Sequence, residues 1–112
     1  MSTIHGVALL VDQRYEAPII QAIQARSDTL AIVRRCADLA EVIAAARAGV
    51  ADLAVVDGAD PDLTAEAIQS LRESGMSVIA LAPHGDRARL SALGVASVAA
   101  PGSPEQAVNS LI

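Results

Sequence analysis

Leu53-Ala54-Val55-Val56-Asp57-Gly58-Ala59-Asp60-Pro61 sets the reading of the whole chain. An apolar run with no polar alternation fits a parallel strand covered by helices on both faces. It spans Leu53 to Asp57 and ends on an acid. Asp60-Pro61 then predicts a helix start, with Asp60 as N-cap and proline at the first helical position.

Working outward, Val7 to Asp12, Leu30 to Cys36, Val78 to Ala82 and Ala96 to Ala100 read as four more strands, and helical patterns separate them. Glu16 to Arg26 sets Ile19, Ile20 and Ile23 on one stripe, and Leu39 to Ala48 does so with Leu39, Val42, Ile43 and Ala46. The third helix carries Leu63, Ala67, Ile68 and Leu71, the fourth Leu90 and Leu93, and a short fifth starts at Ser103-Pro104. Asp38 with Glu41 reads as a capping box, and Gly49, Gly75 and Gly94 stand where helices two to four should stop. Regular βα alternation predicts a flavodoxin-like α/β/α sandwich, with a five-stranded parallel sheet in the order 2-1-3-4-5. The 112 residues are enough for one domain, 1–112. Leu111 and Ile112 are apolar at the very end, so the fifth helix is expected to be cut short and the natural chain to continue.

The composition narrows the function. Apolar residues make up 53% of the chain, yet Tyr15 is the single aromatic, so the core is aliphatic and neither flavin nor single-stranded nucleic acid has rings to stack on. A net charge of -5 argues against nucleic acid as a partner. All 8 basic residues are arginine, which removes lysine chemistry altogether. Cys36 is alone, which suits a reducing compartment, and reads as a small residue closing a strand rather than as a reactive thiol. No leader or apolar stretch of the ~18 residues a membrane span needs is seen, so a cytoplasmic location without direct membrane insertion is expected.

In an open parallel sheet, ligands bind at the carboxyl ends of the strands where the winding reverses, here between strands one and three. Those strands end in Asp12 and Asp57, so two carboxylates should meet at one rim, without a basic or aromatic neighbour in sequence. Two readings stay open. The pair could hold Mg²⁺ or include a phosphorylatable aspartate, or each aspartate could simply cap the loop or helix after it. Apart from Asp12 and Asp57 as weak Mg²⁺ ligands, no cofactor or metal is expected. His5 and His84 lack partners at ligand spacing, Ser70, Ser74 and Ser77 lack a hydrolase motif, and no glycine-rich nucleotide fingerprint is present. Arg34, Arg35, Arg87 and Arg89 read as solvated charges or as salt-bridge donors to a partner.

Leu9-Leu10-Val11-Asp12, Leu53 to Pro61, and Val78 to Ala82 followed by His84-Gly85-Asp86 together resemble the receiver domain of two-component response regulators, over essentially the whole chain. The resemblance places Asp57 at the phosphoacceptor position and Asp12 at one of the metal-binding acids. It also exposes three departures. Gln13 replaces the second acid, Ala82 the hydroxyl residue ending strand four, and Ala100, before Pro101, the lysine. Each lost donor would remove about 3 kcal/mol of charge stabilisation in comparable sites, so a working phosphorylation switch is not expected. The aliphatic texture, Val33-Arg34-Arg35-Cys36-Ala37-Asp38-Leu39 and Leu93-Gly94-Val95 are similar to the N-terminal domain of actinobacterial CpaE-like proteins. In these a degenerate receiver precedes a MinD/ParA-type ATPase, in a family linked to pilus assembly and septum-site or pole positioning. The resemblance implies a non-catalytic regulatory module, recruited to pole or septum through partners. Its partner surface, for self-association or for docking an attached or separate ATPase, would lie on the fourth helix, fifth strand and fifth helix. Leu90, Leu93, Val98 and Leu111 are the candidate contacts, beside a small-residue edge of Ala92, Val95, Ala99 and Ala100. An active phosphoreceiver using Asp57 with Mg²⁺ is the first alternative. A small flavodoxin-fold enzyme or ligand carrier, marked by convergent polar groups in a pocket above Asp12 and Asp57, is the second.

Overall fold

The apolar runs form a single five-stranded parallel sheet. The computed structural model describes residues 4–110, with strands β1 (His5–Leu10), β2 (Leu30–Arg35), β3 (Leu53–Asp57), β4 (Ser77–Leu81) and β5 (Ser97–Ala99). Helices α1 (Gln13–Gln24), α2 (Leu39–Arg47), α3 (Ala65–Glu73), α4 (Arg87–Ala92) and α5 (Pro104–Ser110) follow them in strict alternation. The strand order is β2-β1-β3-β4-β5, as expected, and every neighbouring pair is parallel.

Strand periodicity divides the core into two layers. Ala8, Ala54, Val56, Val78 and Ala80 turn to the face covered by α2, α3 and α4, where Leu39, Val42, Ile68, Leu71 and Leu90 meet them. Val7, Leu9, Val55, Ile79 and Leu81 turn to the other face, against Ile19 and Ile23 of α1 and Ala107 and Val108 of α5. The register Leu9↔Val55↔Ile79 keeps residues of one face side by side across three strands. No polar side chain is buried among the described residues, so hydrophobic burial and the backbone hydrogen bonds of helices and sheet have to offset the ordering of the chain.

Several predicted boundaries shift, each for a local reason. The third helix does not start at Asp60-Pro61. The Asp60 carboxylate accepts the Asp62 N–H at 2.8 Å and its carbonyl accepts the Leu63 N–H at 3.1 Å, which holds Pro61 in a turn. Thr64 is the real N-cap, its hydroxyl accepting the Ala67 N–H at 3.2 Å. The first strand stops at Leu10, and α1 begins at Gln13 rather than Glu16 because Asp12 caps it. The other predicted caps are present: Asp38 accepts the Glu41 N–H, α5 opens on Pro104, and Gly49, Gly75 and Gly94 have φ of 72°, 84° and 100°. Cys36 lies one residue past β2, half-buried, and its N–H donates to the Leu9 carbonyl. Burial, then the charge of Glu41, pushes its thiol above the ordinary range, which fits packing rather than reactivity. No described helix is long and apolar enough to cross a membrane.

Candidate functional site

The carboxyl rim gathers the residues expected there, in a cleft of about 310 Å³ between the ends of β1, β3 and β4. Asp12, Arg14, Tyr15, Asp57, Asp86 and Pro101 are among its walls. A larger groove of about 430 Å³ runs between α1 and α5, but it contains neither aspartate.

Asp12 leaves β1 and caps α1. Its Oδ1 accepts the Arg14 backbone N–H at 2.9 Å, and the Arg14 side chain folds back so that Nε reaches the same oxygen at 3.1 Å and Nη2 reaches Oδ2 at 3.3 Å. The Arg14 side-chain hydrogen bond, then its backbone N–H, hold the Asp12 carboxyl below its ordinary 3.8. Arg14 is pushed the other way, first by its bond to Asp12, with Asp57 also contributing. The guanidinium carbon lies 5.2 Å from the centre of the Tyr15 ring. The expectation of a rim without a basic or aromatic neighbour is therefore corrected. Both neighbours stand two and three residues after Asp12 in the sequence, and the early start of α1 turns that first helical turn onto the rim.

Asp57 ends β3, half-buried, with Oδ1 accepting the Ala59 N–H at 2.9 Å. Its carbonyl accepts the Asp60 N–H at 3.1 Å. Asp12 thus caps a helix and Asp57 a loop, the plainer of the two readings, and both also line one cleft. Gln13 is exposed and Ala100 sits in the open before Pro101. Ala82 is only 3% exposed, and its N–H donates to the Ala99 carbonyl at 3.0 Å. A Cβ placed on Gly58 would come within 2.9 Å of both the Ala82 methyl and Leu90 Cδ1, so the backbone beside Asp57 packs directly on Ala82. One contact has no sequence signal: Arg89 of α4 donates to the Gly58 carbonyl at 3.1 Å and lies 3.7 Å from Asp86.

The donor set does not fit a divalent cation. Mg²⁺ binds through one or two carboxylates and keeps several waters, but both oxygens of Asp12 face Arg14 and Asp86 lies 3.7 Å from Arg89, so of the three acids lining the cleft only Asp57 is without an arginine ion pair. Among the described residues no group of three or more His, Cys, Asp or Glu side chains could hold a metal. His5 lies at the opposite end of the sheet, its Nδ1 2.6 Å from Asp52 Oδ2, and His84 is exposed in the 3-10 turn His84–Asp86.

The expected partner surface is corrected at Leu90, Val95 and Ala99. Leu90 of α4 is fully buried, and Val95, between α4 and β5, and Ala99 of β5 are 5% and 3% exposed, all three turned into the core. Leu93 and Val98 are half-buried against the same cluster. Leu111 lies outside the described residues.

Neither a protein family nor any curated protein matches the sequence. Solved structures do match the fold. The signal receiver domain of NarL from Mycobacterium tuberculosis superposes with a TM-score of 0.72 at 16% identity, over 97% of this chain and 96% of that one. The response regulator domain of Thermotoga maritima CheB gives 0.70 at 17% identity over 96% and 90%. Vibrio cholerae chemotaxis protein CheY4 gives 0.70 at 17% over 98% and 97%. At such identities the likeness is one of fold: this chain has the architecture of response-regulator receiver domains, flavodoxin-like and CheY-like.

Proposed function

We propose that the chain is a pseudo-receiver: a non-catalytic regulatory module that keeps the receiver architecture and works through protein contacts without a phosphorylation cycle. Asp57 occupies the phosphoacceptor position and Asp12 is what remains of the acidic pocket, while Gln13, Ala82 and Ala100 replace the groups a phosphoryl transfer would use. The carrying observation is Ala82. Its methyl is 3% exposed and packed on the Gly58 backbone, where a switch needs a hydroxyl free to follow the phosphoryl oxygen.

The finer resemblance extends the proposal to an N-terminal position beside a MinD/ParA-type ATPase of the CpaE-like kind, serving pilus assembly or septum and pole positioning. Partners are then a protein or the attached ATPase, with self-association as a further mode. The net charge of -5 speaks against nucleic acid. The reading carries with it a cytoplasmic location, with recruitment to pole or septum through the partner. No cofactor is required, and the poor fit of the rim to Mg²⁺ supports that.

Amide NMR with Mg²⁺ and then beryllofluoride tests the reading. A pseudo-receiver leaves the loops after Asp12, Asp57 and Ala82 unchanged at millimolar Mg²⁺. Saturable shifts centred on Asp57 and spreading into α4 would restore the phosphoreceiver and overturn the proposal.

A further inference from the structure

We infer that Arg14 supplies from within the chain the positive charge that this acidic rim would otherwise draw from a divalent cation. The inference deepens the pseudo-receiver reading and rests on it. Three contacts tie Arg14 to one carboxylate: its backbone N–H, Nε and Nη2. The backbone bond matters most for the tether, because the N-cap fixes where Arg14 leaves α1 and so keeps the guanidinium within reach of Asp12. The two side-chain bonds then engage both carboxylate oxygens, the fork geometry that suits guanidinium to carboxylate. Tyr15 offers its ring beside the same guanidinium. Asp57 shares the cleft with Arg14 and adds to the field that favours its charge.

A cation bound here would meet two obstacles. It would need the lone pairs of Asp12 that already face Arg14, and it would sit next to a like charge. The Arg14 side chain is 75% exposed and that of Asp12 35%, so the pair adds little to stability. Its effect is competitive. A divalent ion a few ångströms from a guanidinium is repelled strongly enough, even in a water-like dielectric, to lose about tenfold or more in affinity. Arg14 offsets the charge of Asp12 whatever the Mg²⁺ concentration.

The test restores the missing acid with and without the internal cation. In the full chain, Gln13→Asp and the double change Gln13→Asp with Arg14→Gln are titrated with Mn²⁺, following paramagnetic broadening of the Asp12 and Asp57 amides. Glutamine keeps the backbone N–H that caps α1, and amide dispersion checks the fold of each variant. The expected result is Mn²⁺ affinity at least about tenfold higher in the double variant than in Gln13→Asp alone. Equal affinities in the two, including undetectable binding in both, overturn the inference. A second readout needs no metal: the Arg14 Nε–Hε signal of the unaltered chain should shift and exchange faster with water in Asp12→Asn. An unmoved signal likewise overturns it. The two proposals fail separately, since a beryllofluoride response of the unaltered chain refutes the pseudo-receiver, whereas matched variants beside a silent unaltered chain refute only the role of Arg14.

Discussion

Leu71 and Leu90 on one face of the sheet, and Ile19 and Val55 on the other, are fully buried, whereas Asp12 and Asp57 at the carboxyl rim both remain open to water. The interior is apolar throughout, with no buried polar side chain among the described residues. The rim holds charge satisfied by its own neighbours, Asp12 by Arg14 and Asp57 by the Ala59 N–H. The two regions meet at Gly58 and at Leu81, Val11 and Tyr15, which line the cleft and belong to or pack on the interior. A fold held by its interior does not depend on the side chains at its rim, and the receiver architecture stands here with Gln13, Ala82 and Ala100 in place.

The largest effect should come from cutting the interior. Leu71→Ala removes a fully buried side chain between α3 and the sheet and should cost about 2–5 kcal/mol, read as a lower urea midpoint at unchanged slope. The Arg14 Nε–Hε signal should stay where it is, and a shift there would show that core and rim are coupled after all. Gly58→Ala strikes the seam. The new Cβ would lie 2.9 Å from Ala82 Cβ and Leu90 Cδ1 and 3.0 Å from the Leu81 carbonyl, so a loss of about 1–3 kcal/mol is expected. Unlike Leu71→Ala, it should also move the amides around Asp57. Asp57→Asn belongs to the rim alone. Asparagine keeps an oxygen for the Ala59 N–H, so the stability read from urea unfolding should change by less than about 1 kcal/mol, and a loss as large as that of Leu71→Ala would break the division between interior and rim.

The same division governs how much the sequence could reveal. β3 was legible to the residue because Leu53–Asp57 is an uninterrupted apolar run closed by an acid, and hydrophobic pattern is a strong local signal. Gly49, Gly75 and Gly94 marked helix ends because each takes a positive φ that only glycine adopts without cost. The rim was only half legible. Topology placed Asp12 and Asp57 together, but whether Arg14 folds back onto Asp12 depends on where α1 starts, and the apolar stripe begins only at Ile19. Asp60-Pro61 misled because an Asx turn and an N-cap draw on the same residue type. Leu90 misled as a surface residue because apolarity alone cannot separate core from a docking face, and α4 is too short to show a full stripe. The Arg89 contact with the Gly58 carbonyl spans 31 residues and leaves no local trace.

The smallest effect tests whether the rim neutralises itself in solution. Asp12 in the folded chain has its carboxyl below the ordinary 3.8, chiefly through Arg14, whereas the unfolded chain returns it to about that value. A depressed folded pKa means that the unfolded state takes up the proton first as pH falls. The contribution of the pair is therefore complete above about pH 4 and disappears as the pH falls from there through the lower folded value. Asp12→Asn isolates this charge, since asparagine is as good an N-cap as aspartate and preserves the bond to the Arg14 N–H. The difference in urea midpoint between the two chains should be small and constant from about pH 7 to about pH 4. It should shrink below that, and it should shrink at every pH when salt is added, because the pair is exposed to screening. A difference that stays flat through the acid range would mean that Arg14 does not rest on Asp12 in solution. The rim would then carry an Asp12 whose charge no arginine offsets, and its contrast with the interior would be one of instability rather than of self-sufficiency.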